Sequence, residues 1–384
     1  GKRMTWRRFW PTSPEVLEMT YRHVKRVLET LHPSSYWPDD DLRLGFYTDE
    51  GCFCPRCEKL TQEEQLTTYL GAFRRAADEV CPDVRFGLQT VRPHAKGTVE
   101  DYRKMLETLS GAAGRPVGIR PGDGYYNEYT PRKMVEKTLG IASEAERCRA
   151  YGALVGTVCY EEENFKRQAL NKSPGAIVTE CALALACGAD TLSIYFAAGG
   201  ERPDEMADYE RFVRCLAKSR PYLERLSAST RQTHLGGVVA GAELAMAGIP
   251  VSVPESSAAV TWPKGVEPCD TSTPTVRCRR AILDALDAAT GGAFPVRADL
   301  NHALRLVPRI GEDGRVESVT VLNCSIGETG PFELRVREPA GGTAELMAPR
   351  EPAVPVPLNP NGRETVVSLP SVGGYQIVTV FFAE

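Results

Sequence analysis

Five times in succession, this chain follows a stretch with helical periodicity by a short apolar stretch of strand length. The helical stretches are residues 12–31, 62–80, 100–109, 131–151 and 174–187. Each leads into a strand-like segment: Tyr36-Trp37-Pro38, Val84–Gln89, Pro116–Arg120, residues 153–160 and Thr191–Phe196. A sixth helical stretch, Asp204–Leu226, closes the series. The first helix shows its boundary signals: Ser13 as N-cap, Pro14 as first helical residue, and Val16, Leu17, Met19, Val24, Val27 and Leu28 as apolar face. Parallel strands need crossovers of this kind, so the alternation predicts an α/β fold with a parallel sheet. Polar and acidic residues gather after the strands, as at the catalytic face of a (β/α)8 TIM barrel. Five strands do not close such a barrel, so the expectation is an incomplete one whose missing strands precede residue 1.

The pattern changes after residue 228. Gly236–Ala240 and Ala247–Val251 read as a small α/β segment, followed by a helix over Val276–Ala289. From about residue 303 the chain turns to strands and turns. Glu312-Asp313-Gly314 is a hairpin signal between Leu304–Pro308 and Val316–Leu322. Phe332–Arg337, Glu364–Leu369 and Gln376–Phe382 continue the series, and the proline-rich stretch 349–360 suits edges and loops. The expected domains are a partial barrel over 1–228, a small α/β domain over 229–302 and a β-sandwich over 303–384.

Two acidic clusters carry the chemistry. Glu161-Glu162-Glu163 follows the strand 153–160, and Asp39-Asp40-Asp41 follows Tyr36-Trp37-Pro38. Carboxylates crowded at strand ends are costly unless they face solvent or react. Paired at one end of a parallel sheet, they fit the acid and nucleophile of a glycoside hydrolase. Two solvated acidic loops are the plain alternative, and Asp39–Asp41 as a hard-cation site of a metal-dependent hydrolase is another. Glu161 and Glu163 share a strand face by period-two alternation. Tyr125, Tyr126 and His94, each in a segment after a strand, are candidate pocket walls, and Arg43 is placed to pair with a carboxylate. Cys52, Cys54 and Cys57 form a Cys-x-Cys-x-x-Cys loop able to wrap a soft tetrahedral ion such as zinc; reduced thiols or a redox pair are the alternatives.

Bulk properties exclude several classes. A net charge of −4 leaves no electrostatic footprint for nucleic acid. No apolar run is long enough for a bilayer span. The twelve cysteines lie mostly singly in apolar contexts, unlike a secreted disulfide framework. The basic N-terminus has no apolar segment behind it, so it is not a signal peptide. A reducing, cytoplasmic compartment is the expectation, with a removed targeting segment upstream of Gly1 still compatible.

The order Arg7-Arg8-Phe9-Trp10-Pro11-Thr12-Ser13-Pro14, then Trp37 with Asp40-Asp41, then Cys-x-Cys-x-x-Cys, resembles the family 42 β-galactosidases of glycoside hydrolase clan A. Glu161 with Asn171-Lys172-Ser173-Pro174-Gly175 is similar to the nucleophile region at that family's seventh strand. Ala186–Asp190, leading to Tyr195-Phe196, is similar to its entry into strand eight, and Leu244–Pro250 resembles its second domain. Two differences stand out: Asp40-Asp41 replaces an Asn-Glu pair, and Trp10 replaces the cysteine that would be a fourth zinc ligand.

The resemblance implies barrel strands four to eight and a retaining, β-galactosidase-like hydrolase of O-glycosidic bonds. Glu161 would be the nucleophile, with Glu163 the second candidate, and Asp41 or Asp40 the acid/base. Arg43, His94, Arg120, Tyr125, Tyr126 and Asn164 would line the carbohydrate site. Cys52, Cys54 and Cys57 would hold a structural zinc, and catalysis would need no cofactor. The expected partner is a galactoside-like or oligosaccharide substrate; homo-oligomerisation is compatible with the sequence. The competing reading is a non-catalytic carbohydrate-binding or assembly protein on a decayed hydrolase scaffold.

Overall fold

A computed structural model describes residues 12–38, 59–90, 101–121, 130–164, 172–196, 203–228, 294–300 and 302–383, with short pieces at 245–246, 248, 283–284 and 288. It divides into two compact units. One comprises Gly1–Asp123 with Glu144–Glu161, the other Gly124–Ser143 with Glu162–Glu384.

Along the chain the first elements are α1 (Pro14–Leu31), β1 (Ser35–Tyr36), α2 (Gln62–Val80), β2 (Arg85–Thr90), α3 (Arg103–Ser110), β3 (Val117–Pro121), α4 (Pro131–Arg149) and β4 (Val155–Asn164). Then follow α5 (Pro174–Ala186), β5 (Thr191–Phe196) and α6 (Pro203–Ala228). The expected alternation is therefore present. Strands β1 to β5 form one sheet in sequence order. The β1–β2, β2–β3 and β3–β4 pairs are parallel.

In the first unit, local signals fix the helices. The Ser13 hydroxyl accepts from the Val16 amide at 3.2 Å and caps α1. Thr61 and Glu64 form a reciprocal capping box at the start of α2. Val24 and Leu28 of α1, Leu66, Leu70 and Phe73 of α2, and Met105, Leu106 and Leu109 of α3 share one core with Phe86, Leu88, Val117, Ile119 and Val158 of the sheet. Those strand residues alternate, so every second side chain of β2 and β3 faces away from the helices. That second face carries the site.

In the second unit, α5 is apolar on all sides, and the nine residues Ile177, Val178 and Glu180–Ala186 are buried. The chain then forms two antiparallel sheets. Their strands are β6 (Val296–Ala298), β7 (Leu304–Ile310), β8 (Val316–Asn323), β9 (Phe332–Arg337), β10 (Thr343–Met347), β11 (Val354–Pro355), β12 (Leu358–Asn361), β13 (Glu364–Leu369) and β14 (Ile377–Ala383). The orders are β11-β10-β14-β8-β7 and β12-β13-β9-β6. Val319, Val321, Leu334, Val336, Val367 and Val380 lie in the core between them. The hairpin expected at Glu312-Asp313-Gly314 joins β7 to β8, with Gly314 at φ 80°, where a side chain would be strained. The proline-rich stretch supplies β11 and β12, both edge strands, where a missing N–H costs least.

Arg309, buried on β7, donates to the carbonyls of Leu185, at 2.9 Å, and Leu226, capping the last turns of α5 and α6. Tyr222 of α6 and Thr320 of β8 both hydrogen bond the Thr379 hydroxyl of β14, at 2.8 and 2.9 Å. These bonds satisfy polar groups that burial would otherwise penalise.

Candidate active site

Strand β4 continues through the three glutamates to Asn164 rather than ending before them. This differs from the expected strand 153–160. Its consequence is that alternation, not a loop, assigns the carboxylates to faces. Val158 packs in the helix-covered core, so Tyr160 and Glu162 follow on that side, and Glu161 and Glu163 point the other way.

On the face away from the helices, the sheet is built in two levels. Gly87 of β2 lies in register with Gly118 of β3, and two residues on, Gln89 lies in register with Arg120. Arg120 Nη1 is 2.9 Å from Glu161 Oε1, and its Nη2 donates to Gln89 Oε1 at 2.8 Å. Gln89 Nε2 reaches Glu161 Oε2 at 3.5 Å, the limit of a hydrogen bond. The Arg120 and Glu161 side chains are 8% and 12% exposed, so their charges are little screened. A guanidinium at this distance favours the ionised carboxylate. A carboxylate oriented in this way is suited to act as nucleophile or to stabilise a developing positive charge.

Glu162 has a different environment. Lys172 Nζ lies 2.8 Å from Glu162 Oε1 and 2.8 Å from Glu180 Oε2, the latter on α5. The three side chains are 0–8% exposed. Burial alone would push the Lys172 ammonium down, but Glu180 and then Glu162 reverse the sign and hold it above the usual lysine range. This triad ties the end of β4 to α5, whose first turn is capped at 3.2 Å by the neighbouring Ser173.

Of the site residues expected from sequence, Glu161 and Arg120 are in direct contact and Glu163 is half-buried on Glu161's face. For Asn164 the backbone lies in β4. Asp40, Asp41, Arg43, Cys52, Cys54, Cys57, His94, Tyr125 and Tyr126 lie outside the described residues. Among the described residues, no cluster of three or more histidine, cysteine, aspartate or glutamate side chains could hold a metal. No described helix is long and apolar enough to cross a membrane. Cys148, Cys159, Cys181, Cys187, Cys215 and Cys324 are buried, as expected of small core residues.

Sequence reasoning missed Gln89 altogether as part of this region, and it gave no role to Trp37 or Lys172, though both stand in the resemblance motifs. For Gln89 a signal existed: Gly87-x-Gln89 and Gly118-x-Arg120 share a period-two pattern in two strands, with a small residue followed by a polar one on the same face.

No family model matches the sequence, and no curated protein matches it. Among solved structures, the fold is similar to Gan42B, a GH42 β-galactosidase of G. stearothermophilus. The identity is 11%, over 97% of this chain and 82% of that one, with a TM-score of 0.54. A catalytic mutant of Gan42B matches at 10% identity over 96% and 82% of the two chains, TM-score 0.49. A rhamnosidase from Novosphingobium sp. PP1Y matches at 13% identity over 84% of this chain and 39% of its own, TM-score 0.47. This chain thus spans well under half of that rhamnosidase. These neighbours are glycoside hydrolases, and at such identities the likeness is one of fold.

Proposed function

We propose that the chain is a glycoside hydrolase with Glu161 as its nucleophile. The observation that carries this reading is the Glu161 carboxylate, held by Arg120 and Gln89 on the helix-free face of a parallel sheet, in a fold similar to a family 42 β-galactosidase. In this reading β1 to β5 are strands four to eight of a (β/α)8 barrel over 1–228, with a small α/β domain over 229–302 and a β-sandwich over 303–384. Asp41 or Asp40 is the acid/base, and Glu163 the alternative nucleophile. Arg43, His94, Tyr125, Tyr126 and Asn164 contact a galactoside-like substrate. Arg120 serves Glu161 first. A retaining mechanism requires the two carboxyls ~5–5.5 Å apart. A structural zinc at Cys52, Cys54 and Cys57 belongs to the same reading and takes no part in the reaction.

The test is turnover of aryl β-galactosides and related aryl glycosides by the full chain, beside Glu161→Gln and Asp41→Asn. Turnover lost in both variants is expected. Turnover unaffected by Glu161→Gln would eliminate the assignment. A second reading draws on the closeness of the Arg120–Glu161 pair, which leaves the carboxylate little free valence: a sugar-binding protein that has lost catalysis. Sugar binding by calorimetry, without turnover of any aryl glycoside, would select it.

A further inference from the structure

Trp37 follows β1 by one residue, and its indole lies flat against two glycines. A Cβ on Gly87 would fall 2.0 Å from Trp37 Cδ2 and Cε3, and a Cβ on Gly118 would fall 2.7 Å from Cη2 and Cζ2. Real side chains do not approach so closely, so any residue other than glycine at either position displaces the ring. The two glycines are register partners on adjacent strands. Glycine in a strand interior weakens the strand and signals a close approach by another group. Here that group is identified: a bicyclic ring spanning both strands. The price in strand stability is met twice at one cross-strand pair, which a merely permissive surface would not require.

The next level of the same two strands carries Gln89 and Arg120. The Arg120 guanidinium carbon is 5.9 Å from the Trp37 ring centroid, within reach of a cation–π attraction. The ring, the Gln89 carbonyl and the Glu161 carboxylate thus all hold Arg120. An arginine side chain has several rotatable bonds, and a rigid aromatic surface removes conformers that would fold it down onto the glycines.

We infer that Trp37, seated on Gly87 and Gly118, is a positioning residue that holds Arg120 against Glu161 and so keeps that carboxylate ionised and oriented. The catalytic consequence rests on the proposed role of Glu161 as nucleophile; the structural consequence does not. The experiment therefore has two arms on the full-length chain.

The first arm follows the Glu161 carboxyl by ¹³C NMR, with labelled glutamate and assignment by Glu161→Gln. Trp37→Ala is expected to move its titration midpoint upward by about one pH unit, because a looser Arg120 favours the charged form less. Trp37→Phe, which keeps a ring on the glycines, should return at least half of that shift. Gly87→Ala, which displaces the ring without removing it, should reproduce the shift and serves if Trp37→Ala does not fold. An unmoved midpoint in a folded Trp37→Ala or Gly87→Ala protein would overturn the inference, as would a Trp37→Phe midpoint no closer to wild type than that of Trp37→Ala.

The second arm measures aryl β-galactoside hydrolysis. A fall in kcat of about tenfold with KM changed less than twofold is expected for Trp37→Ala, with the acidic limb of the pH profile displaced the same way as the NMR midpoint. A KM effect alone would overturn positioning in favour of direct substrate contact. If the wild type turns over no glycoside, the hydrolase reading fails, and the carboxyl titration still decides the positioning of Arg120.

Discussion

Glu161 and Glu162 are neighbours in one strand, yet they sit in opposite physical regimes. Glu161 meets the Arg120 guanidinium and the Gln89 amide and keeps 12% of its side chain exposed. Glu162 is fully buried, and a single ammonium serves both it and Glu180. The first arrangement sets a slightly exposed carboxylate beside a guanidinium. The second packs two carboxylates against one buried ammonium in the interior, where a charge is expensive unless it is paired. The comparison teaches that strand face and exposure together give two identical, adjacent carboxylates different surroundings.

The strongest way to break this comparison is Lys172→Met. It removes the buried ammonium that both Glu162 and Glu180 contact, and a loss of roughly 3–5 kcal/mol is expected from urea unfolding. A loss below about 1 kcal/mol would show that the triad is not the buried network described. Arg120→Met should cost less than half as much stability, since its partner keeps an edge to water. Next is Glu161→Gln, expected to lower aryl galactoside turnover by at least about 10³-fold while stability moves by less than about 1 kcal/mol. Equal stability losses from Glu161→Gln and Glu162→Gln would erase the distinction between the two sites.

A pH series sharpens it further. Lys172 is held above 10.5, its ordinary value, and Cys324 is pushed up from 9.0 to about 12, by burial first, with Arg305 opposing. A raised value in the folded state means the folded form binds its proton more tightly. Both contributions are therefore complete below the ordinary values and fade as pH climbs through the folded ones. Stability should decline from about pH 9 upward, and Cys324→Ala should flatten the part between pH 9 and 12. Lys172→Met should flatten the part above 10.5. A wild-type midpoint in urea constant from pH 8 to 11 would contradict both assignments. The smallest expected effect is Ser173→Ala. It removes the cap of α5 next to Lys172 and should cost about 1 kcal/mol by the same unfolding assay, with Glu161 chemistry unchanged.

Much of the framework was legible because the signals are local. The Ser13-Pro14 start, the apolar spacing of helix 62–80 and the Glu312-Asp313-Gly314 turn act within a few residues of themselves. Period-two alternation likewise assigned Glu161 and Glu163 to one face. Short edge strands such as β11 and β12 were not readable, because two to four residues carry no period and their pairing comes from distant partners.

By itself, then, the sequence determined the βα alternation, the shift to antiparallel strands near the C-terminus and the shared face of Glu161 and Glu163, all of which depend on hydrophobic period and backbone chemistry over short distances. Tertiary structure alone decided that Arg120 and Gln89, 41 and 72 positions away from Glu161, would converge on it, that Trp37 would occupy the space above two paired glycines, and that Lys172 would belong to Glu162 and Glu180. Parallel strands joined by helices bring residues 30 or more positions apart into register, as with Gln89 and Arg120. Which charge then faces which is set by that register, and no local pattern encodes it.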